Sequence, residues 1–256
     1  GSSTIIVAGD ITMAKLLPMV EQAFGSWKSG TAPKKQLTTV SKTQGKRIYL
    51  IDKPGAPQST ILAAHISVPS GQAEDLASEP LFRNFGGMST SRLNRNLRLD
   101  KHWSYGTQGG IREARGQQAF FVIAPVQTDK TKESMVEVMK EIRNVAGDKP
   151  VTGEEFESIM RNMTSRLPGR FETLSALEGA AIDQINLGLP NDYWANYGAN
   201  VRKLTESQLA AAGKKFVQPD DIVWIIVGDL SKIEKGIGEL NYGQIIKLDS
   251  DGNQIR

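Results

Sequence analysis

The same nine-residue pattern stands near both ends of this 256-residue chain. Thr4-Ile5-Ile6-Val7-Ala8-Gly9-Asp10-Ile11-Thr12 is echoed by Val223-Trp224-Ile225-Ile226-Val227-Gly228-Asp229-Leu230-Ser231. Each copy reads as an apolar strand, a Gly-Asp turn, an aliphatic residue and a hydroxyl residue suited to cap a helix. A repeated strand-to-helix unit predicts two related modules. After the first copy, Leu16, Leu17, Val20 and Phe24 fall at core-facing helical spacing, and Gly25 ends the helix. Residues 26–45 then turn polar, with Gly30, Pro33, Lys34 and Lys35, which is a linker composition. The expected organisation is the last strand and helix of a preceding module plus a linker over residues 1–45, a nearly complete second module over 46–240, and a terminal strand and turn over 241–256.

Within the second module, residues 47–51 predict a strand closed by Asp52-Lys53-Pro54-Gly55. Residues 59–68 predict a longer strand ended by Pro69-Ser70-Gly71, and 117–126 another. Helices are predicted over 74–85, with Pro80 as an interruption, over 89–101, and over 129–145. Met135, Val136, Val138, Met139 and Ile142 mark the apolar face of the last. Residues 171–187 and 191–200 also read as helices. Thr152-Gly153-Glu154-Glu155 and Thr205-Glu206-Ser207-Gln208 read as capping-box starts of two more. Strands and helices follow in mixed order, not in strict βαβ alternation. That predicts an α+β fold: a two-layer sandwich of a mixed, mainly antiparallel sheet with helices on one face.

Composition removes several functions. Lys and Arg number 31 against 28 acidic residues, and the net charge of +3 is scattered, so no nucleic-acid partner is expected. The absence of cysteine excludes disulfides, thiolate metal sites and a cysteine nucleophile. No apolar run reaches the length of a membrane span, and Gly1-Ser2-Ser3-Thr4 is not the basic start of a signal peptide. His65 and His102 are the only histidines, and neither belongs to an HxxEH or HExxH pattern, so no metal is expected in this chain. His65, in an apolar strand, reads as a core or edge histidine. Glu154, Glu155 and Glu157 read as a helix start with its solvated face, and Asp10 and Asp229 as strand-to-helix punctuation. Gly86-Gly87 lacks the Gly-Lys-Ser/Thr ending of a phosphate loop. Asp249-Ser250-Asp251-Gly252-Asn253 lacks the later acidic ligand of a calcium loop.

Candidate chemistry concentrates in Gly86-Gly87-Met88-Ser89-Thr90-Ser91-Arg92-Leu93 and Leu97-Arg98-Leu99-Asp100-Lys101-His102-Trp103-Ser104-Tyr105-Gly106. Arg98 and Tyr105 stand seven residues apart, across the end of a short helix and the start of a strand, where both can point into one cleft. Arg92, Arg95 and Arg98 recur every third residue while Leu93 and Leu97 face the core, so Arg92 and Arg95 read as the solvated side of the helix. Tyr105 alone would be a half-buried strand aromatic. Its position beside Gly106 and after Arg98 makes it a candidate.

The order of parts is specific. A Gly-Asp strand and helix, Asp-Lys-Pro-Gly-Ala-Pro-Gln-Ser, Gly-Gly-Met-Ser-Thr-Ser-Arg-Leu-Asn-Arg-Asn-Leu-Arg, Trp-Ser-Tyr-Gly, the Val-Thr-Gly-Glu-Glu-Phe helix and a closing Val-Gly-Asp strand follow one another. Together they resemble the C-terminal, non-zinc-binding half of the M16 metallopeptidases, the family of pitrilysin, insulin-degrading enzyme and the mitochondrial processing peptidases. The resemblance covers most of residues 1–240. It implies a LuxS/MPP-like metallohydrolase fold and a clamshell zinc endopeptidase made of homologous halves. In such enzymes the other half carries zinc on His-x-x-Glu-His and a distant Glu, and this half contributes an Arg and a Tyr. By position these map onto Arg98, for substrate binding, and Tyr105, for substrate binding and catalysis. A phenolic O–H can stabilise charge growing on a peptide carbonyl oxygen, and a planar guanidinium suits holding backbone carbonyls in register.

The resemblance further implies that this chain holds no cofactor, is inactive alone, and acts on peptides with a zinc-bearing half on the same or a separate chain. Bacterial relatives of this style are often exported, so the resemblance points to the periplasm, with the cytoplasm as the alternative. His102, between the two candidates, is not read as a general base. A second reading is a non-catalytic scaffold or peptide-binding subunit of the same fold, like the core proteins of the respiratory complex. The presence of both Arg98 and Tyr105 argues against that. A third, binding through a basic surface, predicts strong salt dependence.

Overall fold

The computed structural model describes residues 3–28, 30–34, 36–41, 45–69, 73–114 and 116–255. Alternating burial along the chain builds one sheet. Its strands are β1 (Arg47–Asp52), β2 (Gln58–Pro69), β3 (Gln108–Arg112), β4 (Gln117–Gln127), β5 (Val223–Gly228) and β6 (Gln244–Leu248). They lie in the order β3-β4-β2-β5-β1-β6. The β2–β4, β2–β5 and β3–β4 ladders are antiparallel, and β1 runs parallel to β5 and β6. One face is buried at every second residue, through Ile48, Leu50, Ile61, Ala63, Phe120, Val122, Ala124, Trp224 and Ile226.

Nine helices of the described residues follow the chain: α1 (Met13–Phe24), α2 (Ser78–Phe85), α3 (Arg92–Asn94), α4 (Thr131–Arg143), α5 (Gly153–Ser165), α6 (Leu174–Leu187), α7 (Tyr193–Arg202), α8 (Glu206–Phe216) and α9 (Leu230–Gly238). Leu81, Phe82 and Phe85 of α2, Met135, Val138 and Ile142 of α4, Leu209 and Phe216 of α8, and Ile233 and Ile237 of α9 close over the buried sheet face in one core. This is the expected α+β sandwich with a mixed sheet. Pro80 falls in the first turn of α2, where its missing N–H leaves no helical bond unmade, so it starts the helix and does not break it. The single helix expected over 89–101 is instead one turn of α3 running into a wider π-type segment, Arg95–Asp100.

The two copies of the repeat behave differently. Residues 223–231 form β5 and the start of α9, with β5 between β2 and β1. Two aspartates exchange roles at that turn: Asp52 Oδ1 accepts from Leu230 N at 3.0 Å, while Asp229 Oδ2 accepts from Gly55 N at 3.2 Å. Hydrogen bonds from Ser231, Lys232 and the Gly55 amide hold the Asp229 carboxyl below its usual range. The strand expected over 4–9, by contrast, joins no ladder among the described residues. α1 forms with the expected bounds but buries none of its residues, so Leu17 and Phe24 are exposed and not core-facing.

Two charged residues expected on solvated faces instead pair with each other, Arg92 buried and Glu155 partly so. Arg92 is only 9% exposed. Its Nε donates to Glu155 Oε1 at 2.7 Å, Nη2 to Glu155 Oε2 at 2.6 Å, and Nη1 to Lys149 O at 2.6 Å. Asn84 Nδ2 donates to the same carboxylate at 2.8 Å. Glu155 therefore does not reach back to Thr152, and that expected capping box is not made, whereas the Thr205–Gln208 box is. Burial pushes the Glu155 carboxyl up, but the hydrogen bonds from Arg92 and Asn84 and the Arg92 charge outweigh it and hold the carboxyl below its usual range. A lowered folded-state pKa stabilises the fold above the unfolded glutamate value of roughly 4.3, and that stability is lost as pH falls through the folded value. Glu155→Ala, which strands a buried guanidinium, is expected to destabilise by about 3 kcal/mol in urea denaturation at pH 7. The deficit is expected to shrink on acidification toward pH 3.

Candidate functional site

The chain between α3 and β3 is held from three sides. Leu93 and Leu97 are fully buried and root the helical segment in the core. Asn94 then serves the approaching strand as a backbone surrogate. Its Oδ1 accepts from Thr107 N at 2.8 Å, and its Nδ2 donates to Thr107 O at 3.0 Å and to Met88 O at 2.8 Å. Gly86, at the end of α2, bridges Gly109 so closely that a Cβ there would lie 2.4 Å from Gly109 N. Gly86 thus serves contact between helix and strand, while Gly87 packs back on Arg83 of α2.

The turn itself closes at His102, whose backbone is left-handed at φ 57°. Its ring Nδ1 lies 3.1 Å from Arg98 O, and Trp103 N donates to Leu97 O at 2.9 Å. The end of β4 then fixes the outgoing loop. Gln127 N donates to Trp103 O at 2.9 Å, Gln127 Nε2 to His102 O at 3.2 Å, and Ser104 Oγ to Pro125 O at 2.5 Å. Lys101 Nζ sits 5.1 Å from the centre of the Trp103 ring.

What this scaffold leaves free are two side chains. Arg98 is exposed, and Tyr105, three residues before β3, is 90% exposed. Tyr105 is therefore not the half-buried strand aromatic that its type alone suggests. Among the described residues, no hydrogen bond or ion pair engages either the guanidinium or the phenol. Both line one open cleft of about 420 Å³ with Gln58, Leu99, His102, Trp103, Ser104 and Gln127. Chemically, that wall offers a planar cation, a phenolic donor, two amides and apolar surface from Leu99 and Trp103.

The opposite flank of the same segment is a separate cleft of about 480 Å³ that includes Arg95, Asp100, Lys101, Glu137, Glu141 and Glu155. Arg95 is exposed there, as its spacing indicates. Asn96 Nδ2 donates to Glu137 at 2.8 Å and to Glu141 at 2.9 Å. Burial raises the Glu137 carboxyl, but Asn96, Lys101 and Lys140 together hold it below its usual range. Glu137 and Glu155 are thus matched by cations on that side.

The donor set does not fit a zinc ion. Among the described residues no group of three His, Cys, Asp or Glu side chains could hold a metal. His65 is buried in β2, stacks on Phe120 at 5.0 Å, and accepts from Gln218 N on Nε2 at 3.1 Å, the behaviour of a core histidine. Asn94, Arg92 and Glu155, which set the backbone geometry, carry no local sequence signal for that role, since Glu155 lies 63 residues from Arg92. Asn94→Ala is expected to cost about 2 kcal/mol, because it strands the buried Thr107 backbone groups. Amide hydrogen exchange at Thr107 is expected to accelerate well beyond that of the β4 core.

The sequence profile described as the peptidase M16 inactive domain matches residues 2–163. No curated protein sequence matches the chain. Among solved structures, it is similar to the peptidase M16 inactive domain from Pseudomonas fluorescens at 17% identity and a TM-score of 0.74, covering 86% of this chain and 52% of that one. It is similar to a protease from Helicobacter pylori at 16% identity and a TM-score of 0.72, covering 86% and 53%. A chain of complex III2 from Candida albicans aligns at 13% identity and a TM-score of 0.65, covering 91% and 57%. At these identities the likeness is one of fold. The chain spans about half the length of these solved chains.

Proposed function

This chain belongs to the peptidase M16 family, and from its match to that family's inactive domain we propose that it is the substrate-gripping half of a two-lobed zinc endopeptidase, inactive alone. The metal resides in the partner half. Here Arg98 holds backbone carbonyls of a bound peptide, and the Tyr105 hydroxyl donates to the carbonyl oxygen on which negative charge develops. The observation that carries this reading is the pairing of an exposed guanidinium and an exposed phenol, both unused by the fold, on one rigidly tied wall. A phenol contributes to a fold mainly through burial, and Tyr105 has almost none.

The zinc-bearing half also explains the first copy of the repeat. Ile5, Val7 and Ile11 are 51%, 48% and 36% exposed, whereas their counterparts Trp224, Ile226 and Leu230 are 0%, 0% and 9% exposed. Residues 4–24 thus present, bare, the surface that β5 and α9 bury in their own sheet. In the assembled protease they complete the equivalent sheet of the preceding module. Val7→Asp is accordingly expected to leave the thermal unfolding of this chain unchanged within about 0.5 kcal/mol, as an exposed substitution does. The same change is expected to abolish co-purification with the zinc-bearing half.

The decisive assay combines this chain with that half and follows cleavage of a quenched fluorescent peptide. Tyr105→Phe is expected to lower kcat by roughly 10²- to 10³-fold, and Arg98→Ala to lower kcat/KM with a rise in KM. Full turnover in both variants overturns the assignment. It would favour the scaffold reading, which the likeness to a complex III2 chain supports.

A further inference from the structure

The cleft of Arg98 and Tyr105 is one-sided in charge. None of its eight lining residues is acidic, while Asp100, Glu137, Glu141 and Glu155 line the opposite flank. There Glu137 is shared by Lys101 and Lys140, Glu155 is held by Arg92, and Glu141 accepts from Asn96 and Asn144. Among the described residues no carboxylate pairs with Arg98. We propose that Arg98 makes this cleft selective for a peptide that brings a carboxylate into it. The proposal rests on the reading of the cleft as a peptide site and names the class of peptide.

His102 fixes the wall from which Arg98 projects. Its backbone is left-handed, and its ring Nδ1, on the cleft wall, lies 3.1 Å from Arg98 O, so the imidazole holds the carbonyl of the residue that carries the guanidinium.

Among the described residues, no acidic side chain on this wall competes for the guanidinium. Tyr105 shares the cleft, and the residues that reach it from β2 and β4 are the uncharged Gln58 and Gln127. Asp100 and Lys101, next along the chain, line the other cleft. A peptide carboxylate arriving there accepts charge-assisted hydrogen bonds from Arg98, which a neutral amide does not match. Below roughly pH 4, where the peptide's own carboxyl protonates, the preference is lost.

The test uses the full chain and three peptides of one sequence, read by fluorescence anisotropy at fixed ionic strength at pH 7.5. One carries an internal Glu with blocked termini, one the matching Gln with blocked termini, and one the Gln with a free C-terminus. The Glu peptide is expected to bind about threefold more tightly than its Gln partner, as for an exposed charge pair. Arg98→Gln is expected to bring the two Kd values together. If only the free C-terminus confers the preference, the carboxylate is terminal and not a side chain. Equal Kd values for all three peptides, or a carboxylate preference that survives in Arg98→Gln, overturn the proposal. Binding that is insensitive to both Arg98→Gln and Tyr105→Phe defeats the underlying peptide-cleft reading, a separate result. No binding at millimolar peptide defeats both.

Discussion

Arg92 spends its donors on Glu155, Lys149 O and Pro150 O, and this one buried ion pair couples the start of α3 to the start of α5. A guanidinium out of water tolerates little movement of its partners, because each lost hydrogen bond leaves a charge poorly solvated. The helical segment that follows is therefore anchored at its first residue. Leu93 and Leu97 hold it from beneath, and Asn94 ties β3 to it. Arg98, His102 and Tyr105 inherit their positions from that anchor and make no packing contribution of comparable weight. Polar groups do the fixing and apolar ones the supporting, which is why the site can be exposed and still ordered.

The segment also divides charge in space. Every second or third residue of 92–105 is ionisable, yet the acids and the matching lysines gather on one flank while Arg98 is left facing the other. The wider turn of residues 95–100 accompanies this split, with Lys101 N bonding back to Asn96 O. A single amphipathic helix with three arginines on its outer face would have distributed them equally. Instead Arg92 is buried, Arg95 faces a charge-matched cleft, and Arg98 stands alone on the wall that carries Tyr105.

The sheet shows how much a strand depends on its neighbours. β5 is held between β2 and β1 and carries the fully buried Trp224 and Ile226. The closely similar residues 4–9 carry the same apolar pattern and form no ladder among the described residues. Intrinsic preference is nearly equal in the two segments. Pairing is what differs: β5 has a partner strand on each edge, and residues 4–9 join none among the described residues.

Local patterns in the sequence determined most elements, because alternation, helical spacing and turn residues act over a few positions. The strands at 47–51, 59–68 and 117–126, the helix with Met135 through Ile142, and the Thr205 capping box are of this kind. The seven-residue spacing of Arg98 and Tyr105 was equally legible, and with it the family resemblance. What tertiary structure alone decided was which charges stay in water. Arg92 and Glu155 look like surface residues by their spacing, yet a contact across 63 residues buries the first, half-buries the second and cancels a capping box in doing so. Such a pairing leaves no periodic trace, since its energy comes from two distant side chains desolvated together and not from either neighbourhood alone.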